Sequence, residues 1–272
     1  MRITVLANRD LHSNIALNLL LPTLSQHSFT IFLSDAVGAP SEGYQAPQGL
    51  QEMRFFEQEL FKNTIEELIE LQPQSGRRYL SFKELSELAE QPIRTCKNIN
   101  KEQELEAFRR SAPDVALSIR FGSILREPAI EVPTLGVINL HSGLLPDYRG
   151  ILTTLHSLVN QETEVGCTLH YIDSPSIDTG AIIDQRLIAV DKSKSLLWHV
   201  LQLYPSGCSM MNNAIEDLAA GKNLASTAQG PSSKPYFSLP TSEDFERLSQ
   251  AGFRVWNPED ISQLYQLFLS KQ

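Results

Sequence analysis

The first 33 residues constrain the fold more tightly than any other stretch. Residues 3–6 form a short apolar run suited to a buried strand. Asn8-Arg9-Asp10 follows as a polar turn, residues 15–21 pattern as a helix ending at Pro22, and residues 29–33 read as a second strand. Strand, helix and strand in that order make a βαβ unit, whose two strands must lie parallel in one sheet. The chain is therefore expected to be α/β, a mostly parallel sheet flanked by helices.

The remaining pattern extends this unit. Residues 35–50 are rich in Gly, Pro and Ser and read as a loop; residues 55–71, 84–90 and 102–110 pattern as helices, with a brief strand within 93–99. Strands are expected at 115–119, 136–140, 168–172 and 182–190, with a helix over 152–159. One helix starts at 191–194 and runs to about Tyr204, and another covers 212–220 before Gly221. Residues 225–240 read as a linker crossing the surface. Beyond it, 241–251 and 258–269 are amphipathic helices with Thr241 and Asn257 as N-caps. This divides the chain into a main domain, 1–224, and a linker with a short helical C-terminal extension, 225–272.

Bulk properties narrow the function. With 272 residues the chain can bury a core without disulfides or metal. A net charge of -9 disfavours a phosphate backbone as partner, so no nucleic acid is expected. Cys96, Cys167 and Cys208 form no close pair, which removes zinc knuckles and a redox CxxC and suits a reducing compartment. The N-terminus reads as a strand rather than a signal peptide, and no run approaches the roughly 18 apolar residues a membrane span needs. A cytoplasmic chain without membrane contact is expected.

The most specific stretch is Asn139-Leu140-His141-Ser142-Gly143-Leu144-Leu145-Pro146-Asp147-Tyr148-Arg149-Gly150. If 136–140 is a strand, Asn139 and His141 point to one side, because side chains repeat every second residue. An amide and an imidazole then converge at the carboxyl end of a parallel strand, where open α/β sheets place ligands. A second stretch, Ile172-Asp173-Ser174-Pro175-Ser176-Ile177-Asp178-Thr179-Gly180, supplies an acid in a loop. Amide, imidazole and carboxylate together meet the needs of acyl transfer: oxyanion stabilisation, a charge, and a group to set that charge and handle a proton. His170 reads as a packed or surface residue of an alternating strand.

Residues 139–150 resemble the motif shared by glycinamide ribonucleotide transformylase, methionyl-tRNA formyltransferase and the sugar N-formyltransferases. Gly166-Cys167-Thr168-Leu169-His170-Tyr171, leading to Asp178-Thr179-Gly180, resembles the partner motif, and Phe121-Gly122-Ser123-Ile124-Leu125 resembles the family's folate-contacting loop. The resemblance implies a Rossmann-like fold and an enzyme using 10-formyltetrahydrofolate, with no metal. It implies Asn139, His141 and Asp178 as catalytic residues, Asn139 and a protonated His141 donating to the developing oxyanion. It implies Phe121, Gly122, Ser123, Ile124, Leu125, Leu145, Ile172 and Asp173 around the folate. Five residues separate Ile172 from Asp178 where the family pattern has four, so the pterin side of this loop is expected to differ.

The acceptor is expected to be a small-molecule amine, an amino sugar nucleotide or an amino acid derivative. Asn8, Arg9, Arg149 and His156 are candidates to contact it. The tRNA enzyme carries an additional C-terminal barrel where this chain shows helical patterning. The ribonucleotide enzyme has a glycine turn after its first strand where this chain has Asn8-Arg9-Asp10. The C-terminal extension loosely suits a homodimer. A formyltetrahydrofolate hydrolase and a folate-binding protein without turnover are the alternatives.

Overall fold

In the computed structural model the described residues are 1–35, 43–71 and 79–269. The chain runs β1 (Arg2–Asn8), α1 (Leu11–Leu24), β2 (Ser28–Ser34), α2 (Gln48–Arg54), a π-helical stretch (Phe55–Ile65), α3 (Glu66–Leu71), α4 (Phe82–Leu88), β3 (Arg94–Thr95) and α5 (Glu102–Arg110). It continues with β4 (Val115–Ile119), α6 (Glu127–Ile130), β5 (Val137–His141), α7 (Thr153–Val159), β6 (Glu164–Ile172), β7 (Ile182–Ala189), α8 (Leu196–Ala219), α9 (Ser242–Gln250) and α10 (Pro258–Phe268). The loop expected over 35–50 falls partly outside the described residues, at 36–42.

Seven strands form one sheet in the order β3-β2-β1-β4-β5-β6-β7. The first five are mutually parallel, and β5-β6-β7 are antiparallel. The period-2 rule sorts the strand residues onto two faces. Ile3, Val5, Ala7, Val115, Leu117, Ile119, Ile138 and Leu140 belong to the larger core with α1 and α8. Leu6, Phe32, Ala116 and Val137 face the other way, into a smaller cluster with Leu105 and Phe108 of α5. Asn139 and His141 share the parity of Val137, so they lie on the second face, beyond the part that α5 covers.

Two expected helix ends move. α1 continues through Pro22 to Leu24, and Ser25 N still reaches Leu21 O at 2.9 Å. The two helices expected around 191–204 and 212–220 are one helix, α8, with Pro205 inside it. An interior proline costs roughly 3 kcal/mol. The buried face from Leu196 to Leu218 packs on the sheet and holds the helix in one piece across that break. The tail caps are as expected: Thr241 and Asn257 both form capping boxes.

The linker departs most from its expectation. Thr227 adds a bridge to the edge of β7 through two bonds with Ile182, each 2.8 Å. Phe237 bridges Gly150, with Phe237 N on Arg149 O and Ile151 N on Phe237 O, both at 2.9 Å. Residues 227–237 are a strap bonded along the site loops.

Candidate active site

β5 ends in the sequence Asn139-Leu140-His141, and its antiparallel neighbour places His170 directly opposite Asn139. Asn139 Nδ2 lies 3.0 Å from His170 Nε2. The other His170 nitrogen, Nδ1, lies 2.8 Å from Tyr171 O, a carbonyl that can only accept. Nδ1 therefore carries a proton, while Nε2 faces both the Asn139 amide and Asp178 Oδ1, the latter at 3.6 Å.

His141 is buried and has an acceptor at each ring nitrogen. Nε2 sits 2.6 Å from Tyr148 O, and Nδ1 lies 3.6 Å from Asp178 Oδ2. Tyr148 O can only accept, so Nε2 carries a proton and the Nδ1 edge of the ring is turned to the carboxylate. Gly143 makes room for it: a Cβ there would come within 2.6 Å of His141 Nε2 and 2.5 Å of Tyr148 O. The expectation that His141 donates directly to a reacting oxygen is not met in this geometry, because Nε2 is engaged by Tyr148 O.

Asp178 reaches this pair by an indirect path. Because β6 runs opposite to β5, Ile172 pairs with Val137, at the far end of β5 from His141. The loop must fold back across the sheet face, and Asp178 adopts a left-handed φ of 56° on the way. Its carboxylate, with only 10% of the side chain exposed, accepts from Gly150 N at 2.9 Å and lies 3.6 Å from both histidines. Burial alone would raise the Asp178 carboxyl, but His141, His170 and the Gly150 N–H outweigh it and bring it down to about 2. The site is thus an ionised acid held between two imidazoles, with an oriented amide beside it.

The expected folate-side residues lie in the loop after β4, the strand next to β5, and in the segments that follow β5 and end β6. Leu125 is buried in the smaller cluster, and Phe121 and Ile172 pack against it from the rim. Ile124 is 56% exposed, and its carbonyl accepts from Asn100 Nδ2 at 2.8 Å. Gly122 N is tied to Ser34 Oγ and Ser123 Oγ to Asn98 Oδ1. Asp173 is exposed. Leu145 is buried, with its N–H on Thr168 Oγ1 and its carbonyl on Gln185 Nε2, so it serves the core more than a surface slot.

The expected acceptor contacts divide. Asn8 is fully buried and spends its side chain on Asp10 and Ser34, so it is removed as a binding residue. Arg9 lies over the Phe82 ring and lines a separate cavity of about 470 Å³ with Glu66, Glu70 and Lys83. Both sit at the end of β1, two strand spacings or roughly 10 Å from β5. A second cavity, of about 440 Å³ and lined by Arg2, Arg109 and Glu131, also touches none of the site residues. Arg149 and His156 do stay near the site, beneath the strap. The Arg149 Nε is buried without a hydrogen-bond partner. His156 stacks on Phe237 at 4.1 Å, and burial lowers its basicity.

Sequence reasoning missed His170. Alternation from Thr168 was visible, but its meaning depended on antiparallel pairing with residues 137–141, which puts His170 across from Asn139.

Fold and site together define a class: an α/β, Rossmann-like protein with an Asn–His–Asp centre where a parallel sheet turns antiparallel. Residues 70–197 match the family model described as formyl transferase. The chain is 30% identical over 167 residues to the methionyl-tRNA formyltransferase of Kosmotoga olearia, covering 61% of this chain and 53% of that protein. It thus spans about half the length of the curated relatives it matches. In fold it is similar to a 4-N formyltransferase from Francisella tularensis, with a TM-score of 0.59 and 14% identity over 94% of this chain and 89% of that one. It is also similar to the N-formyltransferase of Helicobacter canadensis, solved with folinic acid and dTDP-3-aminofucose. There the TM-score is 0.50 and the identity 19%, over 93% of this chain and 80% of that one. Among the described residues no helix is long and apolar enough to cross a membrane.

Proposed function

We propose that the chain is an N-formyltransferase, moving the formyl group of 10-formyltetrahydrofolate to the amine of a small molecule such as an amino sugar nucleotide or an amino acid derivative. The observation that carries this reading is the convergence of Asn139, His141 and Asp178 on one sheet face.

We assign the flat folate ring to the 121–125 loop and its neighbours. The rim of the smaller cluster offers Phe121 and Ile172 as an apolar wall backed by buried Leu125, and the 121–125 loop offers backbone groups for polar edges. Folate would supply the formyl group; the rest is the work of this chain's residues.

The Asn139 amide is seated against His170 Nε2, with a hydrogen left for the oxygen on which charge develops. His141, held between Tyr148 O and Asp178, contributes a positive charge to the same oxygen. Ionised Asp178 receives the amine proton, directly or through water, as the new C–N bond forms and the bond to the folate nitrogen breaks. That nitrogen departs with a proton in exchange. A small acceptor suits the net charge of -9, which opposes a nucleic-acid backbone.

The test is mass spectrometry of amino sugar nucleotides and amino acid amines incubated with the chain and 10-formyltetrahydrofolate. A gain of one formyl group on one of them is expected. Formate release with no amine modified would contradict the transfer and make water the acceptor.

A further inference from the structure

Outside the three converging groups, the strap of residues 227–237 is bonded to the backbone on both sides of Asp178's carboxylate. Gln229 Nε2 donates to Asp178 O at 3.0 Å and to Gly180 O at 2.7 Å. Thr227, two residues earlier, is fixed to Ile182 where β7 begins. At the other end, Phe237 is bonded to Arg149 O and Ile151 N, which brackets Gly150, and Gly150 N is the donor to Asp178 Oδ2. Ser233 N on Asp147 and Lys234 Nζ on Glu162 and Tyr148 OH pin the strap between these two grips.

These grips matter because of what they hold. A left-handed aspartate is a backbone conformation of higher energy that persists where its surroundings over-determine it. Gly180 sits so close to β6 that a Cβ would meet Tyr171 O at 1.9 Å, so the loop has one seat on that side. The Gln229 amide closes the other side, with both of its hydrogens spent on the two carbonyls that flank Thr179.

We infer that Gln229 is a positioning residue for the transfer reaction: its side-chain amide, carried by the strap, fixes the left-handed turn that delivers the Asp178 carboxylate to His141 and Gly150. The inference rests on the formyl-transfer reading for its role in turnover, but the hold on Asp178 can be measured without substrate. The Gln229 amide is bonded to the Asp178 and Gly180 carbonyls, so it acts through Asp178.

Gln229→Glu keeps the shape and replaces the donor with oxygen facing two carbonyls, and Gln229→Ala removes the contact. In the full chain labelled with ¹³C at aspartate, the Asp178 carboxyl resonance is followed from about pH 6 to about pH 4, where an ordinary aspartate begins to titrate. It is expected to stay flat in the wild type and to move in both variants. With an accepted amine, kcat is expected to fall about tenfold, the scale of two neutral hydrogen bonds, with the KM for 10-formyltetrahydrofolate changed less than about twofold. A flat resonance in both variants, or wild-type kcat in Gln229→Glu, overturns the inference while leaving formyl transfer intact. A moving resonance in a chain that formylates no amine would sink formyl transfer and leave the strap's hold on Asp178 standing.

Discussion

Each side chain at the centre is held by a neighbour whose chemistry leaves it one choice. Tyr171 O holds the His170 ring through Nδ1, and the Asn139 amide meets that ring at Nε2. Tyr148 O takes the His141 Nε2 hydrogen, which turns Nδ1 toward Asp178. A pH effect follows for Asp178, whose carboxyl is held down at about 2. A depressed carboxyl stabilises the native state fully above the ordinary aspartate range and loses that contribution as the pH falls through its folded value. Its size is on the order of 2 kcal/mol. Urea unfolding at about pH 4 and about pH 2.5 should therefore show a steeper acid loss in the wild type than in Asp178→Asn; equal losses would contradict the pairing. At this scale the sequence was informative wherever a short motif carried the chemistry, as at Asn139 and His141. It read His170 only as a packed or surface strand residue, because its place beside Asn139 is created by a partner strand, and it gave no sign of Tyr148, which acts through a backbone carbonyl.

At the scale of elements, local patterning found the strands well because each buries one parity of residues. Residues 102–110 and 115–119 are bounded as expected, since each is a short amphipathic or apolar run with clear flanks. Proline misled twice, at Pro22 and Pro205, because packing outweighs a single lost backbone bond when a long buried face continues beyond it. Serine, glycine and proline marked 225–240 as a surface linker, but they did not reveal the side-chain and backbone bonds that hold residues 227–237 to the site loops. The tail helices follow their caps. Thr241 Oγ1 accepts from Asp244 N, and Asp244 also lies 3.9 Å from His156 under the strap. Thr241→Ala should cost about 1 kcal/mol of stability, read by thermal or urea unfolding; no change would mean that the box contributes nothing to α9.

Across the whole molecule, one buried ionic group ties β1, β4 and the helical stretch before α3. Arg120, left-handed just after β4, donates to Asp10 Oδ2 at 2.9 Å and to Glu57 Oε2 at 2.8 Å. Asp10 also caps α1 through Ser13 N. Burial pushes the Glu57 carboxyl up against the pull of Arg120, so loss of the arginine would leave two acids facing each other in a dry site. Arg120→Met should cost about 3–5 kcal/mol in urea unfolding, and a cost below about 1 kcal/mol would show that the group is not structural. This cluster fills the end of β1, and it explains why Asn8 is bound up in the fold rather than presented to an acceptor. Nothing in the residue types at 8–10 distinguished an exposed polar turn from a buried one; the partners lie at 57 and 120.

The most direct measurement is a double-variant cycle of formyl-transfer rates on Asn139 and Asp178. Removing an oxyanion donor from a preorganised site costs roughly 100- to 1,000-fold, so Asn139→Ala and Asp178→Ala should each fall by at least about 100-fold. If the groups act as one unit, the double variant should be little slower than the worse single variant. Near wild-type rates in either single variant, or a double variant whose loss is the product of the two, would contradict a shared centre.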